Sequence, residues 1–196
     1  MKSVTVRRAE RSDVPAAARA LARAFYDDPV VTYCWPNDAR RMRRAERSFA
    51  AQARALWDRR EVHIDAEACS VAIWAQPDKW EIPTSAMLRV TSSALRNRVR
   101  LGALLAYLKT DALHPSEPHW YLEYLGTVPE RQGKGLGGLV LAPVLARADE
   151  EGIAVWTWSS NRRNLAFYHR QGFEVLDEVP FTKDGPMIYP IRRAPR

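Results

Sequence analysis

Gly133, Gly135, Gly137 and Gly138 crowd into the end of one stretch, Tyr121 to Gly138, YLEYLGTVPERQGKGLGG. Ahead of them Tyr121, Glu123, Leu125 and Thr127 alternate with Leu122, Tyr124, Gly126 and Val128, the period of a strand. Pro129 has no amide hydrogen and closes that strand. The glycines then leave several backbone amides without side-chain cover where a helix begins. Unpaired N–H groups and the helix dipole both favour negative charge there. The stretch therefore predicts a phosphate cradle, and the question becomes which phosphate.

Gly133, Gly135 and Gly138 fit the G-x-G-x-x-G fingerprint of dinucleotide sites. That fingerprint needs an acidic residue at the end of the next strand, and IAVWTWSSN supplies none. It also opens a large sheet, whereas only about 60 residues follow here. The Walker pattern fails because Leu139 stands where its lysine belongs.

A third pattern fits better. Gln132-Gly133-Lys134-Gly135-Leu136-Gly137 resembles the Q/R-x-x-G-x-G/A pyrophosphate loop of the GNAT N-acetyltransferases. The block running from Asn161 through Asn164, Phe167 and Tyr168 to Gly172-Phe173 resembles that family's second signature. The opening VRRAERSDVPAAARALARAF, followed by DDP, is similar to its first strand and helix. Over almost the whole chain the sequence resembles puromycin N-acetyltransferase-like members.

The resemblance implies acetyl-CoA as cosubstrate, lying between the central strand and the strand after the glycine-started helix. Leu125, Gly126, Thr127 and Val128 would meet the pantetheine arm, with an amide near Thr127 polarising the thioester carbonyl. Residues Gly133 to Gly138, Leu136 included, would hold the pyrophosphate, helped by Arg131, Gln132 and Lys134. Asn161 would touch the CoA arm, and Asn164, where the family often has alanine, is counted with it. Tyr168 is the expected general acid, a phenol returning a proton to the departing thiolate. An amine substrate must lose a proton before attack, and Glu123 matches the position of the family's glutamate base, with His119 and His169 as substitutes. Asp27, Asp28, Tyr33 and Trp35 fall where the family shapes its acceptor pocket, although the two carboxylates are also natural helix caps. Trp156 and Trp158 read as core, or as acceptor-pocket wall.

The elements that must position these groups follow from periodicity. Val4 to Arg8 predicts a strand, and Ser12 with Pro15 opens a helix to about Tyr26. The segment to Pro36 reads as loop, and Asp38 caps a helix to about Trp57. Its apolar stripe is Met42, Ala45, Phe49, Ala53 and Trp57, which leaves its arginines to solvent. Strands are predicted at Glu61 to Glu67 and Ser70 to Ala75, then a helical region from Ile82 to about Leu113. After the glycines a helix runs to Gly152 with a bend at Pro143. Then come a strand at Ile153 to Ser159, a helix at Asn161 to Gln171, and strands at Phe173 to Val179 and Pro186 to Ile191. The order predicts a mixed α/β domain over residues 1–196, a mostly antiparallel sheet flanked by helices.

Composition sets the bounds. The chain has 196 residues, 46% hydrophobic and 27% charged, as in globular proteins. Its longest apolar run is too short for a bilayer, and the N-terminus lacks the apolar core of a signal peptide. Cys34 and Cys69 have no metal-like spacing, so free thiols, no metal and a cytoplasmic location are expected. The charge of +7 and the arginines at 40, 41, 43, 44, 47, 96, 98 and 100 raise a nucleic-acid surface. No nucleic-acid motif accompanies them, so solvated helix faces and attraction to a small anion are expected instead. The expected function is N-acetyl transfer to a small-molecule amine by direct attack in a ternary complex, with no membrane partner and compatible with a homodimer. The alternative is an acyl-CoA-binding regulatory domain without transfer.

Overall fold

The computed structural model describes residues 4–196; residues 1–3, which the expected domain range includes, lie outside the described residues. The chain runs β1 (Val6–Arg8), α1 (Val14–Ala24), α2 (Pro29–Cys34), α3 (Asp38–Ala55), β2 (Arg60–Asp65), β3 (Ser70–Ala75), α4 (Thr84–Arg96) and α5 (Leu101–Thr110). It continues β4 (His119–Thr127), α6 (Leu136–Glu151), β5 (Ala154–Ser159), α7 (Leu165–Arg170), β6 (Glu174–Val175), β7 (Val179–Pro180) and β8 (Met187–Arg193). The sheet order is β1-β2-β3-β4-β5-β8-β6, with β7 on β8. All pairings are antiparallel except β4 with β5. The expected class, a mostly antiparallel sheet flanked by helices, is what folds.

Helices cover both faces. Ile73 points into the layer of Leu21, Phe49 and Ile64, while the next residue, Trp74, points into that of Leu122, Val140 and Val144. Such alternation across a central strand buries all of β3. Gly126 permits the tightest contact on the first face. A Cβ there would lie 2.9 Å from Ala24 Cβ and 3.0 Å from Leu21 Cδ2, so only glycine lets α1 seat this closely on β4.

Several local expectations change. Ser12 does not cap α1; it lies in a 3-10 turn whose capping box pairs Glu10 with Asp13. The segment expected as loop contains α2, because Asp28 accepts from the Val30 and Val31 amides (3.0 and 3.1 Å) and Pro29 is preset for a first helical turn. Arg41 does not face solvent. It is buried, donates to the Trp35 carbonyl (2.8 Å) and lies 5.1 Å from the Tyr26 ring centroid. The expected continuation past Pro143 holds, since Pro143 sits exposed inside α6, which runs on to its Gly152 cap.

Candidate active site

The site begins where two strands part. β4 and β5 pair in parallel only over His119–Tyr121 and Ala154–Trp156. Beyond that, β4 runs on to Thr127 and β5 to Ser159 without pairing with each other. The Thr157 hydroxyl donates to the Leu122 carbonyl (2.7 Å) at the fork. The parted edges leave strand N–H and C=O groups facing a gap.

Which amides face it follows from the opposite edge. The Val128 amide donates to the Cys69 carbonyl (2.8 Å), so Val128 turns its polar groups toward β3. Polar groups alternate edge by residue along a strand, so Gly126 also faces β3, whereas Leu125 and Thr127 face the gap. The Thr127 carbonyl accepts from Gln132 Nε2 (3.0 Å) on that side. Of the four residues expected along the pantetheine arm, Leu125 and Thr127 therefore have backbone donors in the cleft, and Gly126 and Val128 do not.

A bulge corrects the predicted alternation. Ile73 pairs with Tyr124 and Trp74 with Leu122, so Glu123 has no partner on β3. One extra residue switches the face of everything beyond it. Tyr121 and Tyr124 consequently share a side, with Glu123 between them, and all three line the same cavity.

At the C-terminal end of β4 lies the glycine loop. Gly133 and Gly135 have φ of +72° and +79°, a left-handed conformation that side-chain-bearing residues resist. Gly135 caps α6, and the first intrahelical bond is Leu139 N–H to the Gly135 carbonyl (3.2 Å). The amides of the first turn thus lack helical partners, and left-handed residues beside right-handed ones form an anion-binding concavity. Of the expected cations, Arg131 pairs with Glu67 and Lys134 Nζ donates to the Glu130 carbonyl (3.1 Å). Both contacts are exposed, so they are cheaply exchanged for a phosphate.

On the other side of the gap is a cavity of about 520 Å³, roofed by α4 and α5 and walled by α2, α3, β4 and β5. Its floor is a closed polar network. Glu123 accepts from Arg60 Nε and from Gln52 Nε2 (2.8 Å), and Gln52 Oε1 accepts from the Tyr124 hydroxyl (2.9 Å). Arg60 also donates to the Lys79 and Trp80 carbonyls, both at 2.9 Å. The Glu123 charge is already matched by Arg60. The sequence offered no sign of Arg60 or Gln52, which are 63 and 71 residues distant.

Tyr168 is buried but lines the cavity, and among the described residues no protein group hydrogen-bonds its hydroxyl. Burial, then the negative Asp28, push its pKa above the ordinary phenol value. The phenol therefore stays protonated, a steady donor rather than a close match to a thiol. Asp28 also lines the cavity; it caps α2 and accepts from the Ser160 hydroxyl, and burial raises its pKa. Tyr33 and Asp27 do not line the cavity, whereas Trp35 does.

The remaining candidates divide. Asn164 lines the cavity, but Asn161 Oδ1 caps the following turn by accepting from the Arg163 amide (3.0 Å). His169 is exposed, and His119 is buried behind His114. His119 Nδ1 bonds the Glu117 carbonyl (2.8 Å) and its Nε2 meets His114 Nδ1 (2.9 Å). His114, which faces the cavity, is pushed down to about 3 by burial and by its neighbours His119 and Arg60, so it is neutral. Trp156 is core; Trp158 lines the cavity against Phe181 and Tyr107. Among the described residues no helix is long and apolar enough to cross a membrane, and no cluster of three or more His, Cys, Asp or Glu could hold a metal.

Comparison with known proteins agrees with this geometry. The family model for the acetyltransferase (GNAT) family matches residues 59–173. An uncharacterised N-acetyltransferase of Schizosaccharomyces pombe is 27% identical over 94% of this chain and 80% of its own. The crystal structure of histone acetyltransferase HPA2 and related acetyltransferase from Corynebacterium glutamicum superposes with a TM-score of 0.73 at 25% identity, over 99% of this chain and 97% of that one. The C-terminal condensation domain of Ebony, solved with beta-alanyl-dopamine, has a TM-score of 0.69 at 11% identity, over 99% of this chain and 100% of that one, and shares the fold.

Proposed function

Because this chain belongs to the acetyltransferase (GNAT) family and is an N-acetyltransferase, we propose that it transfers an acetyl group from acetyl-CoA to the amine of a small molecule by direct attack in a ternary complex. One observation carries the reading: β4 and β5 part beyond Tyr121 and Trp156, the glycine cradle follows β4, and both strands line a cavity that has Tyr168 in its wall. The similarity of QGKGLG, RRNL, FY and GF to puromycin N-acetyltransferase-like members supports grouping the chain with them.

The cradle fits the cosubstrate's pyrophosphate because its glycines hold left-handed turns and its amides lack helical partners. Gly133 to Gly138 bind there, and Arg131, Gln132 and Lys134 add charge and donors. Asn161 and Asn164 border the arm. Acetyl-CoA supplies an activated acyl carbon and a thiolate leaving group. The Leu125 and Thr127 amides orient the thioester, and one of them stabilises charge on the carbonyl oxygen. As the C–N bond forms and the C–S bond breaks, the electron pair leaves on sulfur, and Tyr168 directs its O–H there. Glu123, both of whose oxygens are already bonded, reaches the amine proton through a bridging water.

Titrating acetyl-CoA into wild type and Tyr168→Phe, with turnover measured alongside, tests the assignment. Binding should be unchanged while turnover falls on the order of 100-fold. Unchanged turnover removes Tyr168 as the acid.

A further inference from the structure

Asp28 is a buried carboxylate whose charge nothing balances. It is 8% exposed, and its hydrogen-bond partners, the Val30 and Val31 amides and the Ser160 hydroxyl, are all neutral. Among the described residues no cationic side chain pairs with it. The buried arginines Arg41, Arg60 and Arg193 are committed to Asp38, Glu123 and Asp149. Hydrogen bonds satisfy the lone pairs of such a carboxylate but leave its charge uncompensated, an arrangement that stands to gain from a cation.

The surrounding wall limits what brings that cation. Phe25, Val31, Trp35, Tyr107, Leu108 and Trp158 line the cavity, and its floor groups Gln52, Arg60, Glu123 and Tyr124 already satisfy one another. The polar groups left in the wall, Asp111, His114 and Asn164 among them, are few beside its apolar share. A ligand with many hydroxyls, several ammonium groups or a peptide backbone would therefore bury more polar atoms than the wall can partner, which costs heavily. A volume of about 520 Å³ suits one compact molecule.

We propose that the acceptor is an amine with a single cationic head on an apolar, aromatic body, and that Asp28 receives the head. This rests on the acetyltransfer reading above. Asp28 and Tyr168 line the same cavity, so the amine is received in the space that Tyr168 borders.

The test is an acceptor panel of phenethylamine, tryptamine, spermidine, an aminoglycoside and an alanine-terminated tetrapeptide, with acetyl-CoA binding measured separately. The two arylalkylamines should exceed the others in kcat/KM by about 100-fold. Asp28→Asn keeps a helix-capping side chain, so it should retain acetyl-CoA affinity while raising arylalkylamine KM by about 10- to 100-fold. Wild type should bind phenethylamine more tightly than phenethyl alcohol, and Asp28→Asn should erase that preference, which a merely structural role would not do. Ser160→Ala, which removes only a neutral donor, should keep it. Spermidine, the aminoglycoside or the peptide matching the arylalkylamines overturns the proposal, as does a preference that survives Asp28→Asn. Should Asp28→Asn not fold, the wild-type panel and the amine-to-alcohol comparison still decide. Failure to bind acetyl-CoA would instead overturn the acetyltransfer reading itself.

Discussion

Glu123→Gln separates a proton-handling role for this residue from a structural one. The side chains of Arg60 and Glu123 are 2% and 8% exposed, so the substitution leaves a guanidinium without its counter-charge inside the protein. It also turns an amide N–H₂ or a neutral oxygen toward Arg60 and Gln52, where a carboxylate served both donors. Breaking a buried pair by removing one partner costs about 3–5 kcal/mol. Arg60 keeps its bonds to the Lys79 and Trp80 carbonyls, which places the cost near the lower bound, about 3 kcal/mol. For a chain of this size that lowers Tm by about 6–12 °C. The double replacement Arg60→Met with Glu123→Leu should recover much of the loss, since replacing a whole buried pair by apolar groups is often near neutral. Thermal melts by circular dichroism, with kcat measured well below the transition, read both quantities. A Glu123→Gln protein whose Tm moves by only a degree or two would refute this reasoning and make the Arg60 pair an incidental contact. A fall in kcat measured below the transition reports the water-mediated proton role separately.

Two further outcomes follow from packing and titration. Gly126→Ala puts a Cβ 2.9 Å from Ala24 Cβ, an atom fixed to the α1 backbone; the helix must shift at about 1–3 kcal/mol, and an unchanged melting temperature would show that α1 gives way freely. Bonds from His63 and then Arg147 hold the Glu61 carboxyl at about 2 against an ordinary 4.5, so its stabilisation is whole above 4.5 and lost as pH falls toward 2. His114, at about 3 against 6.5, acts in the same direction, because the unfolded chain takes up that proton first and stability drops as pH falls below 6.5. Melting temperature against pH should therefore decline from about 6.5 downward, and Glu61→Gln should flatten the limb between 4.5 and 2; an unflattened limb would place the acid sensitivity elsewhere.

Most of the scaffold is legible in the sequence because its signals are local. The alternation ending at Pro129, the glycines before α6 and the apolar stripe of α3 each depend on neighbours within a turn or two. What the sequence hid depends on distant partners. Arg41 sits among four other arginines and has the appearance of a solvated cation; the Trp35 and Pro36 carbonyls, the Asp38 carboxylate and the Tyr26 ring, brought over it by the turn into α3, make its burial stable. The helix α2 was concealed similarly, since six residues carry too little periodicity and its stability lies in the Asp28 cap.

The same distinction runs through the site. The cradle could be found from spacing because its chemistry is done by backbone amides, and glycine is how a sequence exposes them. The cavity could not, because its floor assembles from α3, β2 and β4 and its roof from α4 and α5. The bulge is the sharpest case. With strict alternation Glu123 would share a face with Leu125 and Thr127, opposite Tyr124; one unpaired residue puts Tyr121, Glu123 and Tyr124 around one cavity and turns Gly126 against α1. A single backbone irregularity, invisible as a residue type, thus decides whether Glu123 meets an amine directly or meets Arg60 and Gln52 first. Of the cavity carboxylates, Glu123 is thereby taken by Arg60 and Asp111 is exposed, which leaves Asp28 as the buried one that, among the described residues, no cationic side chain pairs with.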